Sequence, residues 1–471
     1  MLFNSSAFVI LVLVTLALYY LPALRSRQVW VLTASSFVFY AWESPWLLSL
    51  LIGSIAINVV TSYRVARGPM SSQKAWAVAG VALNLALLLF FKYGPLVATS
   101  LPGGAETSLG HFLVTIPLPI GISFFTFQGI SLVVEVFRAR ELSSRAAAAE
   151  WVPVRFASHL ENTMLFKAFF PSLIAGPIVK AHEFYPQIRP KQIRDIPLQA
   201  AFRALTLGYF LKMVVADNLK DATFWIQYPY FLNESSLTLA SLLFGYSMQI
   251  FADFAGYSLI AIGIAHLFGY SLPKNFDFPY LARSFSEFWR RWHISLSTWL
   301  RDYLYLPLGG NRRGSVRTYF NLFVVMFLGG LWHGAAWSYA VWGTAHGAAL
   351  AAERLVRSRV RLPDTPGVSL LQGGAVFSFV TLAWLLFKLP DFSQVIAYLR
   401  AMLDNEGAAN PMLVATIAFY SVPVALYYLW HLAKRRWPAL SFRSEPLAYG
   451  ALLAALVVDG GTSGAFIYFQ F

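Results

Sequence analysis

The sequence predicts an all-α integral membrane protein of about ten or eleven transmembrane helices, with further re-entrant or in-plane helices between them. Three observations predict it. Of the 471 residues 58% are hydrophobic and only 12% are charged, whereas soluble globular chains carry roughly 25% charge. The apolar residues gather into long stretches with little or no charge. Basic residues fall in alternate connections between those stretches.

In chain order the apolar stretches are Phe8–Leu24, Trp46–Tyr63, Trp76–Phe91, Ala200–Phe210, Leu237–Gln249 with its continuation to Phe268, and Phe320–Trp332. Trp337–Ala352, Leu370–Phe387, Met412–Trp430 and Leu447–Val458 complete the set. A span needs about 20 largely apolar residues, so the shorter stretches suit re-entrant segments. Phe8–Leu24 lacks the basic flank and small-residue cleavage site of a signal peptide and reads as a retained span. The basic connections carry Arg25 and Arg27, then Arg64, Arg67 and Lys74, then Arg138, Arg140 and Arg145. Glu43–Pro45 and Lys92–His111 between them are poor in positive charge. This alternation places the N-terminus outside and the basic loops in the cytoplasm. It also accounts for the net charge of +14 without nucleic acid; Lys180–Arg194 would suit an acidic partner or a phosphate-bearing donor.

We find no internal repeat of the secondary-transporter kind and no soluble domain, so residues 1–471 read as one polytopic membrane domain. Its core region is 117–354, where Gly, Pro, His and charged residues interrupt the apolar background. Pro117–Gly121 and Phe170–Pro177 break helices at membrane depth, which is tolerated only where backbone is buried in protein or lines a wet cavity. Polar function is therefore expected in this region.

Three elements there carry candidate chemistry. On a continuous helix over Phe285–Tyr305, Trp289, Trp292, His293 and Trp299 share an aromatic face, and Glu287 pairs with Arg291 at i,i+4. Arg290, Arg291 and Arg301 on the remaining surface suit headgroups or a phosphate. An in-plane amphipathic helix explains all of these except His293. In Asn321–Gly347, Gly329, Gly330 and Gly334 surround Trp332 and His333, allowing close approach of another helix or of a substrate chain. The ten positions on either side of His333 carry no charge, and an ionisable group placed so deep is a functional candidate by default. His346 would lie about 220° around the same helix, so it reads as structural. With no cysteine and no HxxxH or HExxH spacing, no metal site is expected. Finally, Gln249, Asp253 and Tyr257 form one polar stripe, for which an arginine of the Arg290–Arg301 segment is the expected partner of Asp253. Glu135 and Arg138 form a similar polar pair.

A neutral histidine can serve as general base toward a hydroxyl attacking a thioester, an acyl transfer that needs no metal. The residues alone fit that reading or a proton-coupled transporter. The run Phe251–Arg312, containing RWHISLS, then LGGLWHG, together with Pro119–Arg138, Phe169–Lys180 and the ending Phe466–Phe471, closely resembles the membrane-bound O-acyltransferases. The match is nearest to the bacterial branch that serves polysaccharide O-acetylation. The resemblance implies a ring of tilted and broken helices around a tunnel open to both membrane faces. It places His333 at the position of the catalytic histidine and His293 at a second recurrent polar position. Trp332, Gly334 and Trp292 fall in the same motifs, and Asp253 and Tyr257 on the expected supporting helix. It further implies no bound cofactor, an acyl thioester donor such as acetyl-CoA, periplasmic acetylation partners, and a bacterial inner-membrane location. A D-alanyl or other acyl transferase of the family, or a flippase, is the alternative.

Overall fold

A computed structural model describes residues 1–142, 151–360, 363–461 and 464; Arg145 and the ending Phe466–Phe471 lie outside the described residues. The described residues are helical, without strands, and divide into two compact units. One comprises Met1–Phe202 with Ile260–Pro273, the other Arg203–Leu259 with Lys274–Phe471.

Among the described residues eight helices are long and apolar enough to cross a membrane, or nine when one bent pair counts as a span. The expected count of ten or eleven is therefore too high, for local reasons. The stretch at Phe8–Leu24 breaks at Tyr20, before Pro22, and the chain turns through 101° between Ser6–Tyr19 and Pro22–Ala41. A proline has no amide hydrogen and disfavours helix in the residue before it. Trp337–Ala352 is part of a longer helix, Trp337–Arg359, whose charged end lowers its apolar character. The apolar run at Leu447–Val458 is a short apolar segment, Ser444–Val458.

In the first unit several buried polar groups are matched to one another. Asn58 and Asn84 exchange side-chain amide bonds of 3.1 and 3.0 Å, and Gly129 lies against both, where any side chain would collide. The buried Lys167 ammonium donates to the Ser54 hydroxyl at 2.7 Å. Glu135 meets the His182 ring at 3.0 Å and accepts from its backbone N–H at 2.9 Å. The non-helical stretch around Gly176–Pro177 is buried throughout, as broken backbone at that depth requires.

The second unit holds the candidate site. Its long helix Ser236–Leu267 merges the two apolar runs expected at Leu237–Phe268; residues up to Leu259 belong to this unit. Helices Gly314–His333 and Trp337–Arg359 form a tight antiparallel hairpin joined by three residues. Glycine sets their closeness. A Cβ on Gly330 would run into the Tyr339 carbonyl, and one on Gly343 into the Met326 carbonyl. Small residues at such crossings let backbones approach. The glycine cluster around Trp332–His333 thus serves another helix rather than a substrate chain. Gly343→Leu is expected to lower the thermal unfolding midpoint in detergent, at an overpacking cost of about 1–3 kcal/mol. Gly374→Leu, whose side chain would enter open space, is the matched control and should leave the midpoint unchanged.

Candidate active site

The segment Phe285–Tyr305 is not one helix. It breaks between Phe285–Arg291 and Ile294–Leu300, then loosens into a π-helical turn over Arg301–Tyr305. At the break His293 takes a left-handed backbone, φ 43° and ψ 54°. Only two non-glycine residues among those described have positive φ, and such a conformation costs a non-glycine residue roughly 1–2 kcal/mol.

Asn275 holds the break. Its backbone carbonyl accepts from the Ile294 N–H at 2.9 Å, and its side-chain oxygen accepts from the Ser295 hydroxyl at 2.6 Å. Its own amide donates to Ser258 on the long helix at 3.0 Å. On the other side of the break, the Asp277 N–H donates to the Arg291 carbonyl at 3.0 Å, and the Arg291 guanidinium returns a bond to the Asp277 carbonyl at 3.2 Å. The expected Glu287–Arg291 pair forms at 2.7 Å. Arg290 bonds Ser286, and Arg301 pairs with its neighbour Asp302.

The break turns the His293 ring inward, fully buried. Its centroid lies 4.6 Å from Phe254, 5.6 Å from Trp332 and 6.2 Å from His333. Burial pushes the His293 imidazole below its ordinary pKa, so it stays neutral at working pH. His333 ends the helix Gly314–His333, where the next residue, Gly334, is extended. A side chain on Gly334 would strike the Tyr339 ring. His333 is 4% exposed, and its ring is walled by Trp332, Trp342 and Phe387, each with its centroid 5.2 Å away. Trp292 packs on Trp384, which stacks on Trp342. Two imidazoles therefore sit together inside an aromatic shell.

His346 belongs to the other helix of the hairpin, which removes the premise that it and His333 share one helix. Trp342 lies between them, 5.2 Å from His333 and 4.6 Å from His346. His346 itself is packed among Trp289, Phe288 and Phe379. Among the described residues no group of three or more His, Cys, Asp or Glu side chains is gathered as a metal site.

Asp253 is paired with Lys212, not with an arginine. The Lys212 ammonium lies 2.7 Å from Asp253 and 2.7 Å from Asp217, all three buried. Lys212 sits in a π-helical turn, Phe210–Ala216, against Gly256 of the long helix; an added Cβ there would meet the Lys212 backbone nitrogen at 2.9 Å. The polar stripe splits accordingly, with Gln249 bonded to Thr223 and Asp253 to Lys212, while Tyr257 is buried nearby on the same helix. Lys212 and Asn275 are site-building residues that the sequence reading missed. A lone lysine in an apolar run is a signal for the first; the Pro273 break just before it is only a weak signal for the second.

With this geometry in view, the comparisons decide the family. Residues 157–390 match the model of the membrane-bound O-acyltransferase family. A protein named as a probable alginate O-acetylase from Azotobacter vinelandii is 35% identical over 91% of this chain and 85% of its own length. The chain belongs to the membrane-bound O-acyltransferase family. A peptidoglycan O-acetyltransferase of Helicobacter pylori is 35% identical over 81% of this chain and 75% of its own length. A teichoic acid D-alanyltransferase of Bacillus subtilis is 27% identical over 71% of this chain and 83% of its own. The protein is thus a multi-pass membrane acyltransferase, and the transporter reading falls.

The Lys212 triad makes a direct prediction. Lys212→Met strands two buried carboxylates, and breaking such a pair costs about 3–5 kcal/mol. The variant should show a large fall in detergent thermal midpoint and in monodisperse yield. Adding Asp217→Asn and Asp253→Asn should restore much of the loss; no restoration would mean that the charges are not its cause.

Proposed function

We propose that this acyltransferase moves an acetyl group across or within the membrane for the O-acetylation of an exopolysaccharide, with alginate the leading candidate. Its donor is acetyl-CoA or another acyl thioester supplied from the cytoplasmic face of the bacterial inner membrane. The observation that carries the reading is the pairing of His333 with His293, 6.2 Å apart, inside an aromatic shell of the family-matched region. Identity favours acetyl over D-alanyl transfer: the relatives named O-acetylases stand at 35–37%, those named D-alanyltransferases at 27–29%.

In this mechanism an imidazole nitrogen of His333 takes the proton of the acceptor hydroxyl as its oxygen attacks the thioester carbonyl carbon. The C–S bond then breaks, the proton passes to the departing thiolate, and a new oxygen ester and a free thiol result. Apolar walls exclude water, which would otherwise hydrolyse the thioester. The step as written needs no metal. His293, neutral and rigidly held, positions the acceptor, with Trp332, Trp292 and Gly334 shaping the chamber. The two substrates meet at His333 from opposite faces through a tunnel, and periplasmic acetylation proteins complete the system.

His333→Ala should abolish transfer of labelled acetyl from acetyl-CoA to polysaccharide in membranes holding the partner proteins, while the variant inserts and accumulates normally. A general base contributes about 10²–10⁴-fold, so activity near that of wild type would sink the assignment. His293→Asn keeps a residue that tolerates left-handed backbone. It should retain the thermal midpoint yet lower kcat/KM for the acceptor; full activity would reduce His293 to packing.

A further inference from the structure

Wholly within the second unit, a cavity of about 570 Å³ is lined by the helices Pro411–Arg436 and Pro438–Val458. Ligand sites usually measure about 300–1,000 Å³. The sequence explains the space. Ala448, Ala451 and Ala455 line it at i, i+3 and i+7, so a strip of methyl groups leaves room that longer side chains would fill. Leu207, Phe210 and Leu211 supply further apolar wall. Leu426, also in the lining, is 57% exposed, so the cavity opens sideways on the apolar outer surface of a spanning helix. In a bilayer that surface meets lipid chains.

Its polar lining is basic. His431 and Lys434 belong to the last turns of the first helix, and Arg435 and Arg436 follow them. By the charge rule this end is cytoplasmic. Glu445, the carboxylate of the lining, is taken by Arg203 at 2.8 Å. Lys434 is exposed and forms no ion pair with a described residue. Trp430, one turn before Lys434, is also in the lining, and tryptophan anchors at headgroup level. A basic pocket between spanning helices at the cytoplasmic face suits an anionic lipid headgroup, and the apolar walls suit its chains. A soluble anion would leave those walls without a partner.

The cavity also touches the frame of the candidate site. Phe278 lines it with a left-handed backbone, φ 51°, which His293 alone shares among the described non-glycine residues. The Phe278 ring stacks on His431 with centroids 3.6 Å apart and lies 4.8 Å from Tyr427. Its neighbour Asp277 exchanges the two backbone-carbonyl bonds with Arg291 that hold one side of the His293 break. A ligand against Phe278 would therefore brace that strut.

We propose that this cavity binds an anionic phospholipid of the cytoplasmic leaflet, its phosphate at Lys434 and an acyl chain along the alanine strip against Phe278. The site does not depend on the acyl-transfer reading. The purified full chain, stripped of lipid in detergent, is titrated with phosphatidylglycerol, with phosphatidylcholine and with inorganic phosphate. Native mass spectrometry counts bound lipid, and thermal unfolding reports its effect. Phosphatidylglycerol should bind saturably and raise the midpoint, phosphatidylcholine should bind at least tenfold more weakly, and phosphate should change nothing. Lys434→Ala should weaken phosphatidylglycerol at least tenfold, and Lys434→Arg should retain it. Ala451→Trp, at an exposed lining position, should block the chain's seat while the lipid-free midpoint stays near wild type. Bound phosphatidylglycerol should also slow amide hydrogen exchange across Asn275–His293, in wild type and in His333→Ala alike. Equal binding of the two lipids overturns the proposal, as does binding that ignores both Lys434→Ala and Ala451→Trp. Phosphate binding through Lys434 without lipid would overturn it too, leaving only a free-anion site.

Discussion

The bridge made by Asn275 is the constraint on which the candidate site depends. A helix continued through Phe285–Tyr305 would carry His293 on an in-plane surface among tryptophans. Instead the Asn275 backbone and side chain capture the start of the following helix, and its amide is fastened to Ser258 of the long helix. The left-handed backbone at His293 is the strain this network sustains. The reward is geometric: the ring swings inward onto Phe254 and comes within reach of Trp332 and His333.

The same unit shows how a largely apolar protein carries charge. Lys212 is shared by Asp217 and Asp253 at equal distances, so each carboxylate has a cation and the cation has two acceptors. Desolvating such groups is expensive unless they are matched closely. The π-helical turn at Phe210–Ala216 and the missing side chain at Gly256 supply the room for that match. Close backbone approach recurs in the Gly330–Gly343 crossing, which draws the hairpin together and sets Trp342 between His333 and His346. Glycine and polar pairing, rather than apolar burial alone, thus place the histidines, as expected where the solvent itself is apolar.

Particular residues show how far the sequence was legible. His333 stood out because nothing charged surrounds it, and the structure sets it in an aromatic shell beside His293. The Glu287–Arg291 pair followed from helical spacing and forms as expected. The partner of Asp253 did not follow, because Lys212 lies forty-one positions earlier and only the crossing of two helices joins them. The break at His293 was likewise invisible: its cause, Asn275, sits in a separate segment, and local propensity there favours helix. The span count erred where a proline turned a long apolar run aside and where a charged end belonged to a hairpin helix.

By itself the sequence determined the solvent, the helical class and the chemistry on offer: low charge and long apolar runs leave a bilayer as the only suitable medium, and the absence of thiols removes one class of nucleophile. It also determined the family, since several long motifs occur in order. Tertiary structure alone decided which histidine faces which, what neutralises the buried carboxylates, and which glycines serve packing. Those outcomes depend on distances between segments far apart in the chain, and periodicity along one helix holds no information about its crossing with another.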